Sequence, residues 1–361
     1  SISWMIQANA LPELRQESAQ FASMHSDVLQ DALRRLNKAY QSFFRRVKAG
    51  DEPGFPRFKG EGRYRSMTFS HLSKQLIRTI RKRMARIVVP KIGHIAIRYH
   101  RPLPDGKIKH LTLHRKASGW YVSIVIEIID PVEVPVKTTI GVDVGLEPFL
   151  TTSDGENVSN PRHFRESENK LGVAQRRLSR RKKGSRRYKK QREHVAKIHE
   201  HIAKQRQDFH YKTAHWLFLQ GEEVAVENLK IKNMVKNHYL SKSISDAGWG
   251  RFRLILQSKA ANAGLTLTQV NPKHTSQKCS GCDSIVPKSL SVRTHDCPHC
   301  GLVIDRDHNA AINIKKAAVA LRGGVVVTNT PETPERDRSA EPCKTCGAAV
   351  SNKPCPLGQG N

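Results

Sequence analysis

The sequence predicts a multidomain α/β protein whose first half contains an antiparallel β domain. Its 361 residues are enough for two or three domains. Short runs of alternating polar and apolar residues, separated by turn residues, lie between residues 87 and 126. Beyond residue 137, apolar strand-like runs alternate with long helical stretches, and two Cys-x-x-Cys pairs lie near the last of these helices.

The first predicted element is a helix over residues 26–48. Ser26 can cap its N-terminus, and Gly50 follows its C-terminus. Its apolar residues recur at helical spacing and are Leu29, Leu33, Leu36, Tyr40, Phe43 and Val47. The chain opens with Ser1 and not with Met, inside an irregular segment, so we expect that an N-terminal part is missing from this sequence.

A small antiparallel barrel or sheet is predicted next. Turn residues such as Pro104-Asp105-Gly106 separate its strands, and residues 131–135 form its exit linker. Barrels of this kind often bind oligonucleotides, although many do not. The predicted strands cover residues 87–89, 95–99, 108–113 and 120–126.

The second half is predicted to alternate strands with helices. A strand that contains Asp143 opens it, and a long helical region separates the second strand from the third. The later strands cover residues 147–153, 223–227 and 265–270, and the later helices cover residues 246–263 and 309–321.

Three acidic positions lie at the ends of these elements. Asp143 and Glu227 each follow an apolar strand-like run, and a third acid lies in Asp305-Arg306-Asp307, before the last helix. Nucleases of the RNase H type use carboxylates from separate elements, which hold two cations roughly 3.5–4 Å apart. Mg²⁺ suits such a site because it prefers oxygen ligands. Taken singly, each Asp is also typical of a turn or a helix cap.

The net charge indicates a polyanionic partner. The chain has 62 Lys and Arg against 32 Asp and Glu, a formal charge of +30. Net charge concerns partners and not fold, and nucleic acid is the commonest polyanion. No apolar run approaches the ~18 residues of a membrane span, and no signal peptide opens the sequence. We therefore expect a cytoplasmic protein with no membrane partner.

Basic residues are densest between residues 170 and 192, where twelve Lys or Arg occur. Gly184 and Ser185 interrupt this run, and apolar residues at helical spacing flank it, so we predict a helical hairpin. A charge run is usually a solvated face, but this density without acids favours contact with phosphates. The candidate nucleic-acid-binding residues are Arg176, Arg177, Arg180, Arg181, Lys182, Lys183, Arg186 and Arg187.

The cysteines predict a structural zinc site. Cys279 and Cys282 form one Cys-x-x-Cys pair, and Cys297 and Cys300 form another after a fourteen-residue spacer. Four thiolates in two such pairs match a closed tetrahedral Zn²⁺ site. The tail holds no His and has only the three thiols of Cys343, Cys346 and Cys355. It cannot complete a second site alone, so we predict a degenerate or disordered tail.

Six motifs in a fixed order carry a family resemblance. They are residues 141–145 (GVDVG), 176–185 (RRLSRRKKGS), 226–229 (VENL), 245–250 (SDAGWG), 275–282 (TSQKCSGC) and 305–311 (DRDHNAA). In this order they resemble TnpB, the transposon-encoded RNA-guided endonucleases related to type V CRISPR effectors. The resemblance covers the chain from residue 26 to about residue 321.

The resemblance implies a RuvC (RNase H-like) nuclease with an inserted zinc ribbon that binds the target nucleic acid. A helical segment and an antiparallel β-barrel, the wedge domain, would precede it. The implied boundaries are 1–52 for an incomplete helical recognition-type segment, 53–136 for the wedge barrel, 137–275 for the nuclease with its basic hairpin, 276–303 for the zinc ribbon, 304–325 for the last nuclease segment and 326–361 for a disordered tail.

The resemblance also implies catalytic residues and partners. Asp143, Glu227 and Asp307 are the acids that it assigns to catalysis and to Mg²⁺. Asp307 is chosen because it directly precedes His-Asn-Ala-Ala, as the family's acid does, and Asp305 is then structural. The implied partners are a guide RNA derived from the transposon end and a target double-stranded DNA with a short flanking motif. Such a protein would work in the prokaryotic cytoplasm and associate with the nucleoid when bound to DNA.

The two alternative functions are those of a DNA transposase and of a nuclease-inactive RNA-guided repressor. A DNA transposase can also use three acids, but the zinc module between the second and third acids and the six motifs favour the guided nuclease. A nuclease-inactive RNA-guided repressor should have lost a metal-binding acid, and all three are present. One departure from the family pattern is Asp283, where Gly is usual. We also expect that the opening strand and helices of the family are missing before Ser1.

Overall fold

The computed structural model describes residues 4–60, 62–70, 77–289 and 292–324. The chain divides into two compact units, Ser1–Ile129 and Asp130–Asn361. The predicted tail and its three cysteines lie outside the described residues.

Helices open the first unit. They are α1 (Trp4–Asn9), α2 (Leu11–Glu17), α3 (Ala19–Ser23) and α4 (Ser26–Lys48). The predicted helix over residues 26–48 is confirmed, but its capping residue is not Ser26. The N-cap is His25, whose Nδ1 accepts a hydrogen bond from the backbone N–H of Asp27 at 3.3 Å. A histidine ring can accept such a bond although it is not among the common N-cap residues.

Two antiparallel sheets follow in the first unit. Their strand orders are β1-β5-β6 and β2-β3-β4, and both sheets contribute to one buried core that includes Phe69, Ile87 and Leu111. The four predicted strands are present as β3 to β6. Strands β1 and β2 were not predicted, because they are short and polar. Within the described residues, the hydrogen bonds join these strands as two sheets. The strands are β1 (Ser66–Phe69), β2 (Ile77–Arg81), β3 (Met84–Val89), β4 (Gly93–Arg98), β5 (Lys107–Lys116) and β6 (Gly119–Glu127).

A five-stranded mixed sheet forms the centre of the second unit. Its order is β11-β10-β7-β8-β9, with β7, β10 and β11 parallel and with β8 and β9 antiparallel to their neighbours. The strands are β7 (Thr139–Val144), β8 (Leu150–Thr152), β9 (Asn157–Val158), β10 (Glu223–Glu227) and β11 (Thr266–Val270).

Helices and one small hairpin complete the second unit. The predicted helix over residues 246–263 is two helices, because Gly248 adopts φ +67° and ends the first of them. The last helix begins three residues earlier than predicted. The elements are α5 (His163–Ser179), α6 (Arg186–Gln220), α7 (Ile231–Met234), α8 (Ser241–Ala247), α9 (Trp249–Ala263), β12 (Thr294–Asp296), β13 (Val303–Asp305) and α10 (Arg306–Gly324).

Helices cover both faces of the five-stranded sheet. On one face, Ile140 and Val224 pack in a core with Leu217 of α6 and Phe252 and Leu256 of α9. The other face packs against α10, where Ala225 joins Ile314 and Ala318 in a separate buried cluster. Because alternate residues of a strand point to opposite faces, residues at odd positions in β7 and β10 face α10.

The motif at residues 245–250 ties α8 to the helical hairpin. Asp246 is 6% exposed and accepts hydrogen bonds from the backbone N–H of Phe164 and from Arg206, each at 3.0 Å. His210 is fully buried, and its Nε2 lies 2.9 Å from the carbonyl oxygen of Ala247. These bonds fix the start of α5 and the middle of α6 relative to α8.

His210 should make the stability of this unit depend on pH. Burial lowers the pKa of His210 to about 4, whereas an unfolded histidine titrates near pH 6.5. The stabilisation is therefore complete above pH 6.5 and is lost as the pH falls towards 4. Between pH 7 and pH 5, the free energy of unfolding should drop by about 2 kcal/mol more in the wild type than in a His210→Phe variant. Urea denaturation of both proteins at both pH values measures this difference, and equal drops would contradict it.

Candidate functional site

Two acids lie side by side at one end of the five-stranded sheet. Strands β7 and β10 are parallel, and their register pairs Ala225 with Gly141 and Val226 with Val142. The next residues in this register are Glu227 and Asp143. Since Ala225 faces α10, Glu227 two residues later faces it too, and the same alternation places Asp143 on that face.

The close approach of α10 to β7 brings in the third acid. A Cβ atom on Gly141 would lie 2.1 Å from the carbonyl oxygen of Ala311 and 2.7 Å from the backbone nitrogen of Lys315. Only glycine leaves room for this contact. Asp307 occupies the first turn of the same helix and is 8% exposed. The structure thus brings together Asp143, Glu227 and Asp307 from two strands and one helix.

Burial raises the pKa of two acids in this group, and neighbouring negative charges add to the rise for one of them. Burial, together with the negative charges of Glu227 and Asp307, raises the pKa of Asp143 well above its usual value. Burial also raises the pKa of Glu227, and a hydrogen bond from Thr275 partly offsets this rise. A buried acid whose pKa is raised by burial and by neighbouring negative charges is best stabilised as an anion by a nearby cation. Carboxylate oxygens are donors of the kind that Mg²⁺ prefers, so the donor set fits that ion.

Two arginines engage Asp307. Arg306 donates to its Oδ1 from Nε at 2.9 Å and from Nη2 at 2.8 Å, and Arg293 donates to its Oδ2 from Nη1 at 3.1 Å. Arg293 comes from the segment between the two cysteine pairs. Sequence reasoning missed both residues, although the position of Arg306 directly before the acid was a usable signal.

Asp305 makes different contacts from those of Asp307. It is exposed, and its Oδ1 accepts hydrogen bonds from the backbone N–H groups of Asp307 at 2.8 Å and His308 at 3.0 Å. Those contacts are the ones that cap a helix N-terminus. They support the assignment of Asp305 as structural.

The four cysteines between residues 279 and 300 form one cluster. Their Sγ atoms all lie within 4.8 Å of one another, with Cys279 and Cys300 3.6 Å apart and Cys282 and Cys297 3.5 Å apart. Hydrogen bonds with Ser284 lower the pKa of Cys282 to about 6, whereas hydrogen bonds with the neighbouring thiols raise the pKa of Cys300 to about 12. In the described ranges, no other group of three or more His, Cys, Asp or Glu meets that spacing, so the three acids stand farther apart than the thiols do.

The basic residues lie on a helical hairpin, as predicted. Leu171, Ala174, Val195, Ile198 and Ile202 form the core between α5 and α6. All eight candidate basic side chains are exposed, at the end of α5, in the connection and at the start of α6. None of the eight forms an ion pair with any residue that the structure describes. They therefore present unneutralised charge to solvent.

None of the helices in the described part of the chain is both long and apolar enough to cross a bilayer.

Two family models match different parts of the chain. Residues 123–238 match OrfB_IS605, described as "Probable transposase". Residues 249–314 match the model described as "Cas12f1-like, TNB domain". The first range contains Asp143 and Glu227, and the second contains the four clustered cysteines and Asp307.

Two relatives match most of the chain. A Streptomyces pristinaespiralis protein named "Putative RNA-guided DNA endonuclease" is 35% identical over 327 residues, which are 88% of this chain and 78% of the relative. "Putative RNA-guided DNA endonuclease InsQ" of Escherichia coli (strain K12) is 30% identical over 326 residues, 85% of this chain and 78% of the relative. A solved Cas12f1–sgRNA–target DNA complex covers 80% of this chain and 70% of its own at 15% identity and a TM-score of 0.47, a likeness too distant to support an argument.

Proposed function

This chain belongs to the TnpB family, and on that premise we propose that it is an RNA-guided DNA endonuclease encoded by a transposable element. The observation that carries the proposal is the convergence of Asp143, Glu227 and Asp307 at the ends of strands β7 and β10, beside α10. Relatives that bear the endonuclease name match the chain along most of its length.

The domain assignments are part of the proposal. In chain order, the antiparallel strands β7, β8 and β9 come first, and β10 and β11, which run parallel to β7, follow. This sequence of strands and their order in the sheet, β11-β10-β7-β8-β9, support a RuvC (RNase H-like) nuclease. The cysteine cluster between the second and third acids supports a zinc ribbon at residues 276–303 that binds the target nucleic acid. The helices and the two sheets of the first unit would be the recognition-type segment over residues 1–52 and the wedge domain over residues 53–136.

Asp143, Glu227 and Asp307 would hold Mg²⁺. The bound ion would supply activation of the attacking water and stabilisation of the leaving oxygen of the phosphodiester. The two strands fix Asp143 and Glu227 against a packed core, so little motion is needed to complete the site. Arg293 and Arg306 place positive charge next to Asp307, where a DNA phosphate would also be attracted.

The four clustered cysteines would hold one structural Zn²⁺. We expect elemental analysis of protein purified without chelator to find one zinc per chain. A Cys297→Ser variant should lose it and unfold at a lower temperature, because the binding energy of a structural metal is also folding energy. If zinc-free wild-type protein unfolded at the same temperature as zinc-loaded wild-type protein, that result would contradict this assignment.

The basic hairpin would supply affinity that does not depend on sequence. Replacing Arg180, Arg181, Lys182 and Lys183 by Gln should flatten the dependence of log K on log[salt] by about 0.7–0.9 for each phosphate that is no longer neutralised. Choice of target should not change, because phosphate contacts carry no base information. Lys197 and Lys204 are a matched control pair, since Glu193 and Glu200 on the same helix already neutralise them. An unchanged salt slope in the four-residue variant would identify the run as plain solvated surface.

The guide RNA and the DNA target are tested together. RNA that co-purifies with the full chain is sequenced, and a plasmid matched to it is compared with a scrambled plasmid in Mg²⁺. In such complexes the guide reads the target by base pairing, while the protein reads only a short flanking motif. We expect cleavage of the matched plasmid alone. Joined strand-transfer products would instead indicate a DNA transposase, and guided binding without cleavage would indicate a nuclease-inactive repressor.

A further inference from the structure

Two buried asparagines of α10 hold the segment that enters the first cysteine pair. Asn309 is fully buried; its Oδ1 accepts from the backbone N–H of Ser280, and its Nδ2 donates to the carbonyl oxygen of Lys278, both at 2.8 Å. Asn313 is 7% exposed and donates from Nδ2 to the carbonyl oxygens of Thr275 at 2.9 Å and Lys278 at 2.6 Å. The backbone on either side of Cys279 is therefore fixed to α10.

The same segment also reaches the acid on β10. Thr275 is 8% exposed, and its hydroxyl donates a hydrogen bond to Oε1 of Glu227. The carbonyl oxygen of Thr275 is one of the two that Asn313 holds. A continuous path of contacts thus runs from the cysteine module through Thr275 to Glu227.

The two buried asparagines of α10 fit this role better than a packing role. Asparagine is a weak helix former and is costly to bury unless its amide finds partners. Residues four apart lie on one face of a helix, so Asn309 and Asn313 both contact the cysteine segment. Asp307 lies in the first turn of that helix, so α10 carries one acid and sets the position of the residue that holds another.

We propose that Thr275 is a positioning residue for Glu227, and that Asn313 links its position to the cysteine module. The inference rests on the proposed function, because it takes Glu227 as a metal-binding acid. Residues that orient metal ligands from behind typically change metal affinity or activity by about 10–100-fold when they are removed. How rigidly the cysteine segment is held then determines how well the acid cluster binds its cation.

The test measures Mn²⁺ affinity of the zinc-loaded full chain by electron paramagnetic resonance. Thr275→Val keeps the shape of the side chain but removes the donor, and should weaken Mn²⁺ binding by about tenfold. Thr275→Ser keeps the hydroxyl and should bind Mn²⁺ like the wild type. Zinc content and the thermal transition should be the same in all three proteins, which separates positioning from a general loss of structure.

The link through Asn313 is tested in both backgrounds. Asn313→Ala should weaken Mn²⁺ binding in the wild type, and should add little in the Thr275→Val background, because both changes act through one path. Fully additive effects would overturn the link. Unchanged Mn²⁺ affinity in Thr275→Val, with binding abolished by Asp143→Asn, would overturn the positioning role and leave the proposed function standing. If the wild type bound no Mn²⁺ at the acids, that result would instead contradict the proposed function.

Discussion

Asp307→Asn should lower the rate of guided DNA cleavage by about 1,000-fold, whereas Asp305→Asn should retain most of it. The first change removes a charged oxygen from the acid cluster, and the loss corresponds to about 4 kcal/mol of transition-state stabilisation. The second leaves a side-chain oxygen that can still cap α10, because Asn caps a helix about as well as Asp does. Both changes conserve shape, so a difference between them reports charge at the site.

Binding measurements complete this comparison. RNA and target DNA should bind both variants about as well as the wild type, because under this proposal the acids hold metal and not the duplex. Asp143→Asn and Glu227→Gln should behave like Asp307→Asn. If Asp305→Asn lost as much cleavage as Asp307→Asn while folding normally, the choice between the two acids would be wrong.

Gly141→Ala should destabilise the second unit by about 3 kcal/mol and abolish cleavage without removing any ligand. The added Cβ would stand 2.1 Å from the carbonyl oxygen of Ala311 and 2.9 Å from the Cβ of Lys315. These neighbours belong to a packed helix and cannot move alone, so the cost is at the high end for an overpacked core. Displacement of α10 would separate Asp307 from Asp143 and Glu227.

Gly323→Ala is the matched control for this change. Gly323 lies in the same helix, and a Cβ there would meet nothing within 4 Å. Alanine should be neutral or stabilise the helix by up to about 1 kcal/mol. Chemical denaturation and a cleavage assay on both variants test the pair. Equal stability and full activity in Gly141→Ala would show that α10 does not depend on this contact.

Much of the fold could be predicted from local patterns. Helix α4 follows from its apolar spacing, and the strands that carry Asp143 and Glu227 follow from their apolar runs. The break at Gly248 was missed because an isolated glycine inside a helical pattern is often tolerated. The cap at His25 was missed because Ser26 is the more common capping residue.

The positions of the three acids and of the clustered cysteines could be predicted from the sequence, but the contacts around them could not. Acids at strand ends and cysteines in spaced pairs have recognisable sequence signals. Pairs such as Thr275 with Glu227 and Arg293 with Asp307 depend on how α10 and the cysteine segment pack. No local pattern specifies contacts between residues 48 or 14 positions apart in different elements. The register of β7 with β10, which sets the two acids side by side, likewise depends on pairing across the sheet.

The most direct test of the catalytic centre is anomalous diffraction from crystals of the full chain with RNA and target DNA, grown with Mn²⁺ in place of Mg²⁺. We expect manganese between the carboxylates of Asp143, Glu227 and Asp307, and zinc among the four clustered cysteines. The manganese signal should disappear in Asp143→Asn while the zinc signal stays. Manganese bound only away from these acids, in crystals whose contents still cleave DNA when dissolved, would contradict the assignment of the three acids as the catalytic centre.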